Sequence, residues 1–210
     1  MSPLSYPDVE SPLSIEQEKQ LKEGIFPSEP IVAQLIGKKI LIFNHIHGYL
    51  LYGFGRYFGI PVGIRKPKIE PFQRPLELSS LETYYLLKQK LITLHSFEED
   101  SKKAWTLYEF YSFCKDNYPH FEERYIIYED LREKHYIPRP GQKFGADFIV
   151  YRQGPGIDHS SFCIQVLSPF TKISSIDVVR SARLATSVKK RFILANPTNK
   201  TYFSFKWFKP

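Results

Sequence analysis

The sequence predicts a mixed α/β (α+β) fold in two parts, a small mixed N-terminal domain and a C-terminal domain with a central mixed sheet flanked by helices. Three observations carry this. Apolar runs of strand length and stripes of helical spacing interleave along both halves of the chain. Proline and glycine cluster between those runs, where turns belong. The 210 residues, 16% of them aromatic, suffice to bury a core in one large or two small domains.

In chain order, residues 1–30 hold five prolines and several acids with little apolar periodicity, and read as a tail with at most a helical turn at Ser14–Gly24. An N-terminal α/β domain is expected over 31–117. In it, Lys38–His45 reads as a strand, and HGYLLYGFGRYFG as a short helix that breaks at its glycines. The stretch 61–77 is rich in proline and basic residues and reads as a connector with at most short strands. LSSLETYYLLKQK has a serine cap at Ser79 or Ser80 and places Leu81, Tyr85 and Leu86 at helical spacing. LITLHS follows as a strand. AWTLYEFYSFCKDNY is helical, with Trp105, Tyr108 or Glu109, and Phe113 on repeating faces.

A boundary is placed at Asn117–Tyr118–Pro119, and a second domain over 118–210. Phe121, Tyr125, Tyr128, Leu131 and His135 recur every three or four residues, the pattern of an amphipathic helix. IPRPGQ breaks it. Strand-length runs follow at 144–151, 160–167 and 191–196. Between the last two, Ser174 and Asp177 resemble a capping box, and Val178, Ala182, Ala185 and Val188 form a helical stripe. TYFSFKWFK alternates as an edge strand. The second half thus reads helix–strand–strand–helix–strand–strand, with no internal repeat.

Charge narrows the function. The net +7 is uneven: residues 1–30 carry two lysines against six acids, and residues 137–210 carry 12 Lys/Arg against three Asp. A basic C-terminal third favours a polyanion, most simply nucleic acid, although a solvated basic surface accounts for charge alone equally well. No apolar run is long enough to span a membrane, and MSPLSYPDVESPLS lacks the pattern of a signal peptide. Cys114 and Cys163 sit in apolar patterns and read as reduced core thiols of an intracellular protein, cytoplasmic, or nuclear in a eukaryotic source.

The chemistry gathers at FGADFIVYRQGPGIDHSSFCIQV, residues 144–166. Tyr151 ends one apolar run, a Gly-Pro-Gly turn follows, and His159 opens the next. A hairpin brings its ends together, so two titratable groups eight residues apart can flank one small group. A base and an acid on either side of a phosphate suit RNA cleavage, in which the base activates the 2′-OH and the acid protonates the leaving 5′-oxygen. The transition state gains negative charge and calls for a fixed cation, which Lys189 or Lys190 at the end of the basic helix can supply. Each residue also has a plain structural reading: a packing tyrosine, a surface histidine, and lysines complementing a helix dipole. An unperturbed phenol ionises near about 10, so a base role needs local help.

A metal-dependent nuclease is the rival chemistry. It needs an acid followed by a carboxylate and lysine on the next strand. Asp147 fits the first position, but Gln165-Val166-Leu167 supplies neither partner. His45-x-His47 is too sparse for zinc. No metal or other cofactor is expected.

YEDLREKHYIPRPGQKFGADFIVYRQGPGIDHSSFCIQV and RSARLATSVKKRFILA resemble the catalytic subunit of the tRNA-splicing endonucleases, densely over 122–197. YLLYGFGRYFGIPVG and LELSSLETYYLLKQKLITL resemble, more weakly, the small N-terminal domain of the archaeal enzymes. The resemblance implies a restriction-endonuclease-like C-terminal nuclease domain. It implies a metal-independent triad with Tyr151 as base, His159 as acid and Lys190 as the stabilising cation, the spacing of thirty-one from His159 selecting Lys190 over Lys189. It also implies Arg183, with Trp207 as a looser match, in gripping the nucleotide. The substrate would be precursor tRNA with a bulge–helix–bulge intron, and the products a 2′,3′-cyclic phosphate and a 5′-OH. The partner would be a second copy or a paralogous subunit, as dimer or tetramer. The alternative is a non-catalytic RNA-binding structural subunit of a heteromeric enzyme.

Overall fold

The computed structural model describes residues 19, 21–65, 67–97, 104–168 and 172–205. Within them lie two five-stranded mixed sheets flanked by helices, and no described helix is long and apolar enough to cross a membrane. Most of the expected turn at Ser14–Gly24 falls outside these residues, although Lys19 and 21–23 are helical.

The first sheet holds β1 (Ile31–Ile36), β2 (Lys39–Ile42), β3 (Ile60–Pro61), β4 (Leu76–Leu78) and β5 (Ile92–Ser96), in the order β3-β4-β2-β1-β5. β1 pairs parallel with β5 and antiparallel with β2. Helix α1 (His45–Tyr52) is capped by Asn44, whose side chain accepts from the Ile46 and His47 amides, so the chain expected as strand up to His45 turns helical there. Helix α2 (Ser80–Lys88) opens with a full capping box between Ser79 and Glu82. Helix α3 (Leu107–Asn117) opens with another, between Thr106 and Glu109. Its buried face is Phe110 and Cys114; of the residues set on repeating faces, Tyr108 is 77% exposed. β1 itself was not anticipated. It is a central strand whose inward residues are Ile31, Ala33 and Leu35.

The second sheet holds β6 (Ile137–Pro140), β7 (Phe148–Tyr151), β8 (Phe162–Val166), β9 (Arg191–Asn196) and β10 (Thr201–Phe205), in the order β10-β9-β8-β7-β6. β8 and β9 are parallel and are joined by α5 (Ser175–Ser187). α4 (Phe121–Glu133) covers one face, with Ile127, Tyr128 and Leu131 against Phe148, Val150, Ile164 and Val166. α5 covers the other, with Ala185 against Cys163, Phe192 and Leu194. The first turn of α4 also packs on the N-terminal aromatic core, where Tyr84 meets Phe121 and Tyr125 edge-on at 5.8 and 4.6 Å.

Two expectations change here. IPRPGQ does not merely break a helix: Ile137–Pro140 forms β6, an edge strand whose prolines cost little where no outer neighbour needs their amides. The run expected as a strand from 144 starts only at Phe148, because Gln142–Phe144 forms a 3-10 turn that Gly145 closes at φ +61°.

Three helix ends share one construction. After α2, α4 and α5, a residue in the left-handed region (Lys90, His135 or Lys189) is followed by one residue and then a strand. The paired bonds of a Schellman motif are present each time. At α5, the Lys189 amide donates to Thr186 O (3.0 Å) and the Lys190 amide to Ala185 O (2.7 Å). His135, expected on the buried stripe of α4, is therefore its exposed terminator.

Candidate active site

β7, β8 and β9 end in register. Val150 pairs with Phe162, and Phe162 with Arg191. One position further, the Ser161 amide donates to Val150 O at 2.9 Å and the Arg191 amide to Ser161 O at 3.1 Å. Tyr151, Ser161 and Lys190 therefore stand side by side at one end of three neighbouring strands. With strands about 4.8 Å apart, the Tyr151 and Lys190 main chains are about 10 Å from each other.

Between Tyr151 and His159 the loop is folded by Asp158. One carboxylate oxygen accepts the Arg152 and Gln153 amides (3.1 and 3.3 Å), and the other accepts the Gly154 amide (3.0 Å). The Ile157 and Asp158 amides both return to Gly154 O at 3.1 Å. This is an Asx-type closure, and it draws the two ends of the loop together. Gly154 is at φ +125° and Gly156 at φ +90°, positions that explain both glycines of the Gly-Pro-Gly turn. His159 leaves this loop exposed, with no hydrogen-bond partner among the described residues.

Lys190 comes from the other direction. The Schellman turn at Lys189 sends the chain from α5 back to the sheet, and the Lys190 side chain lies half-buried with its ammonium 5.3 Å from the centre of the Phe144 ring. Its Nζ donates to Ser160 O (2.9 Å) and to Ser160 Oγ. A cation is thus fixed on the residue that follows His159. Lys189 is exposed. Burial pushes the neighbouring Cys163 thiol up, and the Lys190 charge pulls it partly back. Both cysteines are buried and unpaired.

The elements that meet here carry basic side chains: Lys143 before β7, Arg152 in the loop, Arg180 and Arg183 on α5, and Lys189 and Arg191 after it are all exposed, and the Arg152 guanidinium lies 5.8 Å from the centre of the Phe162 ring. Arg183 stands on the outer face of α5. Trp207 lies outside the described residues. Asp147, the acid that a metal site would use, is otherwise engaged: it takes Arg124 Nε at 2.7 Å, Gln165 Nε2 at 2.7 Å and the Val166 amide at 2.8 Å.

Sequence reasoning did not single out Ser160 or Asp158. The second carries a usable signal, an aspartate just after a Gly-Pro-Gly turn. The first carries none, because its role depends on a lysine thirty residues away.

Residues 121–202 match the family model described as tRNA intron endonuclease, catalytic C-terminal domain. A tRNA-splicing endonuclease of Hyperthermus butylicus is 36% identical over 184 residues, covering 86% of this chain and 99% of the relative. Proteins of the same description from Saccharolobus solfataricus and Sulfurisphaera tokodaii are 40% and 38% identical over 184 residues, each covering 85% of this chain and 99% of theirs.

Proposed function

We propose, from the premise that the chain belongs to the tRNA intron endonuclease family, that it cleaves precursor tRNA at intron boundaries by an acid–base reaction. Tyr151 takes the proton of the 2′-OH at the cleavage site. The freed oxygen attacks the adjacent phosphorus, and His159 gives a proton to the departing 5′-oxygen. The products are a 2′,3′-cyclic phosphate and a 5′-OH, so no water is consumed and DNA, without a 2′-OH, is not a substrate. Lys190 faces the charge that builds on the phosphorane oxygens. Typical magnitudes assign about 10²–10⁴-fold to each proton transfer and about 10²–10³-fold to a fixed donor at the developing charge.

The observation that carries this reading is the anchoring of the Lys190 ammonium on Ser160, beside His159 and at the strand end that presents Tyr151. A merely solvated lysine would not be half-buried and doubly bonded. The exposed arginines and lysines around it suit an RNA backbone, with Arg183, and Trp207 beyond it, assigned to the splayed bulge nucleotide. Buried unpaired thiols suit an intracellular, cytoplasmic enzyme. Assembly with a second copy or a paralogous subunit completes the reading.

The test is incubation of the purified chain alone with intron-bearing precursor tRNA, with and without excess EDTA, for the wild type and His159→Ala. The expected outcome is cleavage that survives EDTA. In His159→Ala, binding should stay near wild type and cleavage should fall by about 10²–10⁴-fold. Wild-type cleavage by that variant would remove the assignment. RNA binding by the wild-type chain without cleavage, restored by a partner subunit, would favour the structural-subunit reading.

A further inference from the structure

The loop that carries the candidate acid does not rest on its own domain alone. Beneath Gly154 lies the ring of Tyr57, from the turn after α1. A Cβ added to Gly154 would stand 2.1 Å from Tyr57 Cε2 and 2.3 Å from Cζ, so the glycine backbone lies against the phenol with no room for a side chain between them. Tyr57 is fully buried, at φ +53°, and its ring meets that of Tyr52 edge-on at 5.5 Å. Its hydroxyl is the one buried side-chain polar atom among the described residues without a hydrogen-bond partner.

The segment holding this ring is clamped from the side of the site. Arg139, on β6, donates to Tyr57 O at 2.8 Å and meets Glu82 Oε1 at 3.3 Å. The same Glu82 oxygen accepts the Gly59 amide at 2.9 Å. Arg132, on α4, donates to Arg56 O at 2.7 Å. Three buried or half-buried charges thus fix residues 56–59 against the sheet that bears Tyr151, where an ion pair holds position even if it adds little net stability.

We infer that Tyr57 is a positioning residue for cleavage: its ring is the floor on which the 152–158 loop takes the shape that sets Tyr151 and His159 apart at working distance. Burial raises the Tyr57 phenol above its ordinary pKa, and the negative charge of Asp158 adds to this, which places the loop-folding carboxylate close by. Neutral and without a partner, the phenol acts through its surface. Removing the floor lets the loop settle, and misplacement of about 1 Å costs on the order of 10²-fold in rate.

The inference rests on the roles given to Tyr151 and His159 above, and the experiment separates the two. Single-turnover cleavage and pH–rate profiles are measured for Tyr57→Phe, Tyr57→Ala, Gly154→Ala and the Tyr57→Ala/Gly154→Ala pair, with His159→Ala alongside. Tyr57→Phe keeps the ring and should stay within about threefold of wild type. Tyr57→Ala and Gly154→Ala should each lose about tenfold or more in rate, with KM little changed and the limbs of the pH profile displaced. The pair should lose less than the sum of the two single losses, because part of the Gly154→Ala loss comes from its clash with the Tyr57 ring and the rest from its left-handed backbone. A rate unchanged in either alanine variant, a profile merely scaled down, or additive losses in the pair would overturn the inference. If Tyr57→Ala does not fold, Tyr57→Leu, which keeps apolar bulk and removes the ring, takes its place with the same expected loss. If His159→Ala cleaves normally, it is the assignment of the acid that has failed.

Discussion

The end of α2 and the end of α5 have the same backbone and deliver different things. Each closes with a lysine in the left-handed region, Lys90 or Lys189, followed by one residue and a strand that runs parallel to an earlier one in its sheet. In the first sheet the residue after the turn is Leu91, packed on the N-terminal aromatic core. In the second it is Lys190, bonded to Ser160. One supersecondary join therefore serves packing in one half and, on the proposed reading, chemistry in the other. What differs is a single side chain at a fixed place in the join, an apolar Leu91 or an anchored Lys190, and not the backbone.

The comparison breaks first at Lys190. Lys190→Ala should lower cleavage by about 10²–10³-fold, and Lys189→Ala should leave it within about threefold, read by single-turnover assay. Equal losses in both would mean that the turn, and not the anchored ammonium, carries the effect. Leu91→Ala tests the other side. It should cost about 2 kcal/mol by loss of packing, read as a fall of roughly 5 °C in Tm, with cleavage at temperatures below the melt nearly unchanged. The smallest effect sharpens what the two joins share. Lys90→Gly and Lys189→Gly each relieve about 1 kcal/mol of left-handed strain and lose about 0.5–1 kcal/mol to the added freedom of the unfolded chain. Each should change stability by no more than a few tenths of a kcal/mol, the two alike.

What sequence could show follows the range of the interactions. Ser174 and Asp177 announce the start of α5 within four residues, and the Ser174 hydroxyl does accept the Asp177 amide at 3.1 Å. The stripe of Phe121, Tyr125, Tyr128 and Leu131 is buried because a helix of that period has one inner face. Ile137–Pro140 was hidden because proline argues against a strand until the strand is known to be an edge. The candidate site divides in the same way. Tyr151 and His159 are marked by their hairpin, whereas Lys190 alone could not be told from Lys189 by local pattern, and family resemblance supplied the choice. Tyr57 left no trace, since its meaning lies in a glycine nearly a hundred positions later.

Glu82 closes a circuit between these halves. Its carboxylate caps α2 through the Ser79 amide and hydroxyl at 2.8 and 2.7 Å, and with its other oxygen it holds Gly59 and Arg139. Fraying of that helix would then loosen the Tyr57 segment beneath the loop proposed to carry the acid. On that proposal, a fragment starting after α3 would forfeit the seat of its own cutting edge, and the N-terminal sheet would belong to the tool rather than to its handle.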